Sequence, residues 1–301
     1  MEAEMNMRDI SIIIPARNEA EGLKTLLPAL VARYPDAEII VVNDGSSDDT
    51  IAVCQFHGVK IISHPYSMGN GASVKTGARA AQGNILVFMD GDGQHRTDDI
   101  ATLVEKLDEG FDMVVGARSW ESQAGLRRAA ANRFYNIIAS WMTDRKIEDL
   151  TSGFRAVRAN KFRKFLYLLP NGFSYPTTIT MAFFRSAYPV AYVPIRAETR
   201  KGRSNISILK DGIRFFVIIL RIGALFSPMR LFLPVSFLFF LLGAIHYAYT
   251  YITTGRFTNM SALMFSAAML TFLIGIVSEQ VSSLHYRDTA EDRNKDRNNE
   301  R

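Results

Sequence analysis

Two long uncharged runs near the C-terminus restrict this chain more than any other feature. Leu231–Tyr251 contains no Asp, Glu, Lys or Arg, and neither does Met260–Ser278. As a helix the first run would extend about 31 Å, the thickness of a bilayer's hydrocarbon core. The segment between them, Ile252–Asn259, is short. Two such runs side by side are rare in the core of a soluble protein, so a transmembrane hairpin is expected. Arg203, Arg221, Arg230 and Arg287 flank it on one side, and Arg256 lies on the other. The positive-inside rule then puts the preceding domain and both termini in the cytoplasm, with the chain multi-pass in a cell (inner) membrane. The first ten residues carry Glu2, Glu4, Arg8 and Asp9 and no apolar leader, which agrees.

The approach to the hairpin is amphipathic. Between Ser207 and Arg221 the polar residues Ser207, Lys210, Asp211, Arg214 and Arg221 project within about 100° of arc. Ile208, Leu209, Ile213, Phe216, Val217 and Leu220 form the opposite face, the pattern of a helix lying in the membrane interface. Beyond the hairpin, Tyr286–Arg301 is almost all charge and amide and is expected to be disordered. The expected organisation is a catalytic domain over 1–205, an interfacial region over 206–229, a hairpin over 230–284 and a charged tail over 285–301.

The bulk numbers fit this division. The chain of 301 residues is 48% hydrophobic with a formal net charge of +5. Its mean hydropathy of +0.03 is high for a purely soluble protein. The positive excess is too small and dispersed for nucleic acid, and suits an anionic bilayer surface. A single cysteine, Cys54, excludes an intrachain disulfide and reads as a core residue.

The first 116 residues alternate between β-rich runs and helical stretches. Ile10–Ile14, Glu38–Val42, Val59–Ser63, Asn84–Met89 and Asp112–Gly116 read as strands, with Val190–Ile195 as a later one. Helices are expected over Leu23–Arg33, Thr50–Phe56, Gly71–Gln82 and Asp98–Glu109, with a kink or early break at Pro28. Residues 121–146 read as helical and basic. Nearly continuous apolar strands alternating with helices imply a parallel sheet with right-handed crossovers.

The polar motifs fall just after these strands: Asn18 and Glu19, then Asp44, then Asp90 and Asp92, then Arg118. Ligands of open α/β sheets bind outside the carboxyl ends of the strands. One acidic turn would mean little; several at one sheet edge indicate an active site. In Asp90-Gly-Asp-Gly-Gln94, carboxylate and amide oxygens are hard ligands suited to Mg2+ or Mn2+. Such a cation would neutralise a diphosphate and stabilise it as a leaving group. His64–Ala80 is glycine-rich but is neither G-x-G-x-x-G nor a Walker A loop, so dinucleotide and P-loop readings are excluded.

The ordered set "IIPARNEAEGL", "VVNDGSSDDT", "MDGDGQH", "GAR", "TSGFRAVR" and "RKGRSN" resembles the GT-A glycosyltransferases of family 2, and within them the polyprenyl-phosphate glycosyltransferases. The resemblance spans about residues 8–215, and the hairpin is similar to that of membrane-anchored prokaryotic members. It implies an α/β, Rossmann-like GT-A domain with a mostly parallel sheet, plus interfacial and transmembrane helices. It further implies inverting transfer of a hexose or related sugar from a GDP- or UDP-linked nucleotide sugar to undecaprenyl or dolichyl phosphate. Pro15, Ala16, Asn18 and Glu19 would line the nucleoside pocket, and Asp44 would bond the base or ribose. Asp90, Asp92 and Gln94 would hold the metal and diphosphate. Arg118 and Arg133 would hold the acceptor phosphate, while Arg203, with Lys201 and Ser204, would close over the donor. The oligomeric state, a homo-oligomer included, is left open.

The residues leave rivals in view. A lipid or glycan hydroxyl acceptor would need a general base, with Asp149 the candidate. A membrane scaffold that has lost catalysis is the other; intact Asp44, Asp90 and Asp92 argue against it. Asp48 and Asp49 read as helix caps. His95 reads as a turn residue or a metal contact, and Arg155 as a pocket residue or a partner of Asp149. Phe173, Tyr175, Phe183 and Phe184 read as core.

Overall fold

The computed structural model describes residues 9–118, 126–172, 174–195 and 223–299. The chain divides into two compact units, Met1–Asn205 and Ile206–Arg301.

The first unit is built on a seven-stranded sheet. Its strands are β1 (Ile10–Ala16), β2 (Glu38–Asn43), β3 (Lys60–Ser63), β4 (Ile85–Phe88), β5 (Met113–Arg118), β6 (Arg155–Arg158) and β7 (Val190–Ile195). The spatial order is β3-β2-β1-β4-β6-β5-β7. Pairing is parallel from β3 through β4 and between β5 and β7. β6 runs antiparallel between β4 and β5. The sheet is therefore mostly parallel, as expected. β6, within the "TSGFRAVR" motif, went unread as a strand because four residues with a charge at each end carry little periodic signal.

Four helices bridge the early strands: α1 (Ala20–Arg33), α2 (Thr50–Phe56), α3 (Asn70–Ala80) and α4 (Asp99–Asp108). The first runs unbroken through Pro28, where the sequence predicts a kink or break. Packing keeps it continuous, since Leu23, Leu26, Leu27 and Leu30 on either side of the proline are all buried. Fully burying one such side chain is worth about 1.5–3 kcal/mol, enough together to outweigh the loss of one helix hydrogen bond.

Core packing follows strand alternation. Ile10, Ile12, Ile14, Val41 and Val87 pack with the leucines of α1 and with Ile100, Leu103, Val104 and Leu107 of α4. Ile13, pointing the other way, meets α3. There a Cβ on Gly77 would lie 2.3 Å from Ile13 Cγ2 and 3.3 Å from Val42 Cγ2. Glycine thus sets how closely α3 lies on the sheet. Farther along, α5 (Leu126–Thr143), α6 (Ala159–Arg163) and α7 (Tyr175–Arg185) complete the unit. Phe162 of α6 meets Phe88 of β4, and Phe165 meets Phe183 of α7. Phe183 and Tyr175 are core residues, as expected, whereas Phe184 is half-buried and Phe173 lies outside the described residues.

The second unit contains α8 (Pro228–Thr254) and α9 (Asn259–Asn299). Both hold stretches long and apolar enough to cross a membrane, Pro228–Thr254 and Asn259–Leu284. Their apolar windows are only 11% and 17% buried, unlike core helices of a soluble domain. α8 ends at Gly255 in the left-handed region, φ 64°, whose N–H donates to Tyr251 O. The helices are joined by polar contacts within the apolar stretch: Ser236 Oγ donates to Ala268 O, and His246 Nδ1 lies 3.0 Å from Ser261 Oγ. The charged tail is helical to Asn299, where disorder was expected. Extending a helix already nucleated costs far less than starting one. The amphipathic segment Ser207–Arg221 lies outside the described residues.

Gly77→Ala is expected to cost about 1–3 kcal/mol by overpacking β1 and β2. A thermal unfolding midpoint equal to the parent's would contradict this packing.

Candidate active site

β1 is the centre of the site. Its neighbours β2 and β4 both run parallel to it, so their carboxyl ends emerge together. The chain leaves β1 toward β2 and β3 and returns to β4 on the opposite side. Such a reversal opens a crevice at the strand ends. A cavity of about 390 Å3 lies there. Pro15, Ala16, Arg17 and Glu19 line it after β1, Asp44 after β2, and Asp90, Gly91 and Asp92 after β4. Ser67, Gly69, Asn70 and Ser73 form a wall at the start of α3. Thr151, Gly153, Tyr175 and Pro176 close the other side.

The cavity gathers most of the expected donor-side residues. Asn18 is the exception on β1's side. It adopts φ 54°, and its Oδ1 accepts from Ser47 N at 2.8 Å rather than lining the cavity. It fastens the β1 loop to the loop after β2. Asp48 helps, accepting the N–H of Ala20 at the start of α1 and that of Thr50. Its capping role is as expected, but it caps α1 across the fold as well as α2. Asp49 makes no side-chain cap bond.

Asp44 is buried, and four donors surround its carboxylate. His64 Nδ1 lies 2.8 Å and Met68 N 2.7 Å from Oδ1; Ser67 Oγ and Gly69 N lie 2.8 and 2.9 Å from Oδ2. Burial pushes this carboxyl up, but these hydrogen bonds outweigh it and hold it below the ordinary range. Its visible work is to fold the 64–69 loop into the cavity wall.

Asp90 and Asp92 stand on a tight turn. Asp92 Oδ1 accepts the N–H of Gln94 at 3.1 Å, and Gly93 takes φ 73°. α1 presses against this turn through Gly22: a Cβ there would lie 2.3 Å from Gly91 O and 3.0 Å from Asp92 Cα. Asp90 and Asp92 both line the cavity, whereas Gln94 is not among its lining residues. Among the described residues no group of three or more His, Cys, Asp or Glu could enclose a metal. A Mg2+-like cation can be held by two carboxylates completed by substrate phosphates, and Asp90 and Asp92 could supply the carboxylates. His95 sits behind Asp90, its Nε2 3.8 Å from Asp90 Oδ2 and its ring stacked on Phe154.

Arg118 and Arg133 do not line the cavity. Arg118 ends β5 and forks onto Asp149, with Nε 2.8 Å from Oδ2 and Nη2 3.1 Å from Oδ1. Nη2 also donates to Thr151 Oγ1 at 2.7 Å, so Arg118 stands one side chain behind the cavity wall. Arg133 is exposed on α5. Lys201, Arg203 and Ser204 lie outside the described residues.

Asp149 is only 2% exposed. Burial raises its carboxyl, but Arg118 and the N–H groups of Thr151 and Arg118 together hold it below the ordinary range. A carboxylate so stabilised is a poor proton acceptor. Asp149 therefore pairs with Arg118, not Arg155.

Arg155 is fully buried, and among the described residues no carboxylate pairs with it. It donates to the carbonyls of Ser152 and Pro176 and to Thr180 Oγ1. Its guanidinium lies 5.9 Å from the ring centroid of Tyr175, whose hydroxyl donates to Gly153 O. Burial lowers its proton affinity, and the group still holds the Ser152–Gly153 turn and Pro176 as one wall. The sequence motif flagged Arg155. Arg17, Ser67, Asn70, Ser73 and Pro176 carried no separate signal, because cavity lining depends on the fold.

An open, mostly parallel sheet with acidic strand ends around a cavity is an architecture that binds ligands at the strand ends. The chain belongs to glycosyl transferase family 2, whose model matches residues 11–166. Residues 227–284 match the GtrB C-terminal hairpin. It is a glycosyltransferase. Glycosyltransferase AglJ of Haloferax volcanii is 24% identical over 294 residues, covering 92% of this chain and 94% of that protein. Polyprenol monophosphomannose synthase of Mycolicibacterium smegmatis is 26% identical over 216 residues, covering 65% of this chain and 80% of that one. Glucosyl-3-phosphoglycerate synthase of Mycobacterium tuberculosis, solved with Mn2+, UDP and phosphoglyceric acid, superposes with a TM-score of 0.57. The overlap is 72% of this chain and 76% of that one at 20% identity, a likeness of fold.

Arg118→Ala is expected to cost about 3–5 kcal/mol, because it leaves the Asp149 carboxylate buried and unpaired. An unfolding midpoint close to the parent's would contradict the pairing. The depressed Asp44 and Asp149 carboxyls also set an acid limit. Their contribution to stability is full above about pH 4, the ordinary carboxylate value, and is lost as pH falls below it through the native values. Asp44→Asn should flatten that acid slope in thermal unfolding from pH 6 down to about pH 3.

Proposed function

We propose that this chain transfers a hexose or related sugar from a nucleoside diphosphate sugar to a polyprenyl phosphate at the cytoplasmic face of a membrane, with inversion at the anomeric carbon. One observation carries the reading. Two aspartates one residue apart, Asp90 and Asp92, line a strand-end cavity, in a chain that also holds two helices of membrane-spanning length. The relative named polyprenol monophosphomannose synthase supports the acceptor class. The fold neighbour solved with Mn2+ and UDP supports a donor with a divalent cation.

Asp90 and Asp92 would hold Mg2+ or Mn2+, with Gln94 contributing through the turn it shares with Asp92. The cation supplies charge neutralisation for the departing diphosphate. Pro15, Ala16 and Glu19 form the part of the cavity open to the nucleoside, with Asp44 shaping the wall beside them. Arg17, at the rim, offers a cation for the diphosphate. Arg118 and Arg133 would align the lipid phosphate, and Lys201, Arg203 and Ser204 would cover the donor.

A lipid phosphate is already anionic at neutral pH. It attacks without a strong base and needs alignment and charge screening. Asp149, committed to Arg118 with a depressed carboxyl, suits this acceptor better than a hydroxyl that must lose a proton. Inversion follows from attack opposite the leaving diphosphate. The catalytic half and both termini lie on the cytoplasmic side by the arginine asymmetry around the hairpin.

The deciding experiment offers the purified chain a panel of UDP- and GDP-sugars with undecaprenyl or dolichyl phosphate, and measures product mass. Transfer to diacylglycerol or another hydroxyl lipid alone would defeat the acceptor assignment. Transfer from no donor would favour an inactive scaffold. Asp92→Asn is expected to lower turnover by at least about a thousandfold while the unfolding midpoint stays near the parent's. Ordinary turnover by that variant would remove the metal assignment.

A further inference from the structure

The second half of α5 shows two faces. Ala139 and Met142 are buried, and Tyr135 and Ile138 are half-buried. Arg133, Ile137 and Trp141 are the exposed ones among its described side chains. They recur every fourth residue and so share about 80° of arc. Ile137 is 57% exposed and Trp141 51% exposed. A soluble surface has little reason to present an aliphatic chain and an indole in line with an arginine.

The charge around this stripe is one-sided. Residues 126–146 contain Arg127, Arg128, Arg133, Arg145 and Lys146 against one acid, Asp144. That is five positive and one negative, or +4 of the chain's formal +5. Lys146 is itself paired to Glu148, just beyond the segment. An exposed apolar strip in line with Arg133, in a segment of net positive sequence charge, fits an anionic bilayer surface: the indole and alkyl groups enter the headgroup boundary, and the arginine meets phosphates. The same chain carries two span-length helices, so a bilayer is held at high effective concentration near this domain.

We propose that the Arg133–Ile137–Trp141 stripe of α5 docks on the anionic headgroup layer of the membrane. The inference goes beyond the transferase reading and holds whichever acceptor the site takes. Docking sets the tilt of the catalytic unit at the surface. It would also put Arg133 at the depth of lipid phosphates, although it does not line the donor cavity.

Spin labelling on the full-length chain tests this. Cys54, the single cysteine, is fully buried and its thiol is pushed up to about 11 by burial, so it resists labelling. Ile137→Cys and Trp141→Cys each provide one reactive thiol. Glu109→Cys, at the exposed end of α4, serves as the reference. The proteins are reconstituted in vesicles of phosphatidylcholine and phosphatidylglycerol. Collisions with a water-soluble nickel chelate should fall at least about threefold at both stripe positions relative to position 109, with collisions with oxygen rising. Equal nickel exposure at all three positions would overturn the proposal. Shielding from both reagents, with spin–spin broadening between labelled copies, would also overturn it by assigning the stripe to a contact between copies. The readout is depth, not turnover, so docking and the transferase reading can fail independently.

Discussion

The parallel pairing of β1 with β2 on one side and β4 on the other is the constraint on which the site depends. Hydrogen-bond register places Ala16 beside Asn43 and Ile13 beside Phe88. Asp44 N then donates to Ala16 O, and Met89 N to Ile13 O, so the ladder carries on into the loops. The residues that follow must share one edge. Three short segments far apart in sequence thus meet around one cavity, and the sheet's apolar burial holds them there. None of the loops could keep its position alone, because each is short and strongly charged.

Charge distribution on the two sides of the cavity follows from local hydrogen bonding. On the β2 side, Asp44 is saturated by His64, Ser67 and two backbone N–H groups and acts as a scaffold. On the β4 side, Asp90 and Asp92 line the cavity on a turn pinned by Gly22. Elsewhere, Arg118 and Asp149 neutralise one another, and Arg155 organises carbonyl oxygens, with no carboxylate paired to it among the described residues.

The hairpin obeys a separate logic. Its helices bury little of their apolar surface against protein, so their outer faces require an apolar surrounding. Inside the pair, small residues allow close approach: Gly243 lies against Met264 and Phe265, and Gly275 against Phe232 and Met229. Glu279 accepts the N–H of Met229 and closes the start of α8.

The sequence by itself determined the class of fold, the existence of the hairpin and the identity of the acidic motifs. Those features are written in periodicity, in run length and in residue type, which are local properties. It was silent on β6, whose four residues become a strand because β4 and β5 leave a slot between them. It left Arg155 and Asp149 as a candidate pair, while the fold gave Asp149 to Arg118 and the carbonyl oxygens to Arg155. It grouped Asn18 with the cavity, whereas the loop turned that side chain to Ser47. It predicted a kink or break at Pro28, where packing carries the helix on without a break, and disorder from Tyr286, where the helix propagates to Asn299. Partner choice among polar side chains is decided by distances between segments remote in sequence. Only the assembled sheet sets those distances.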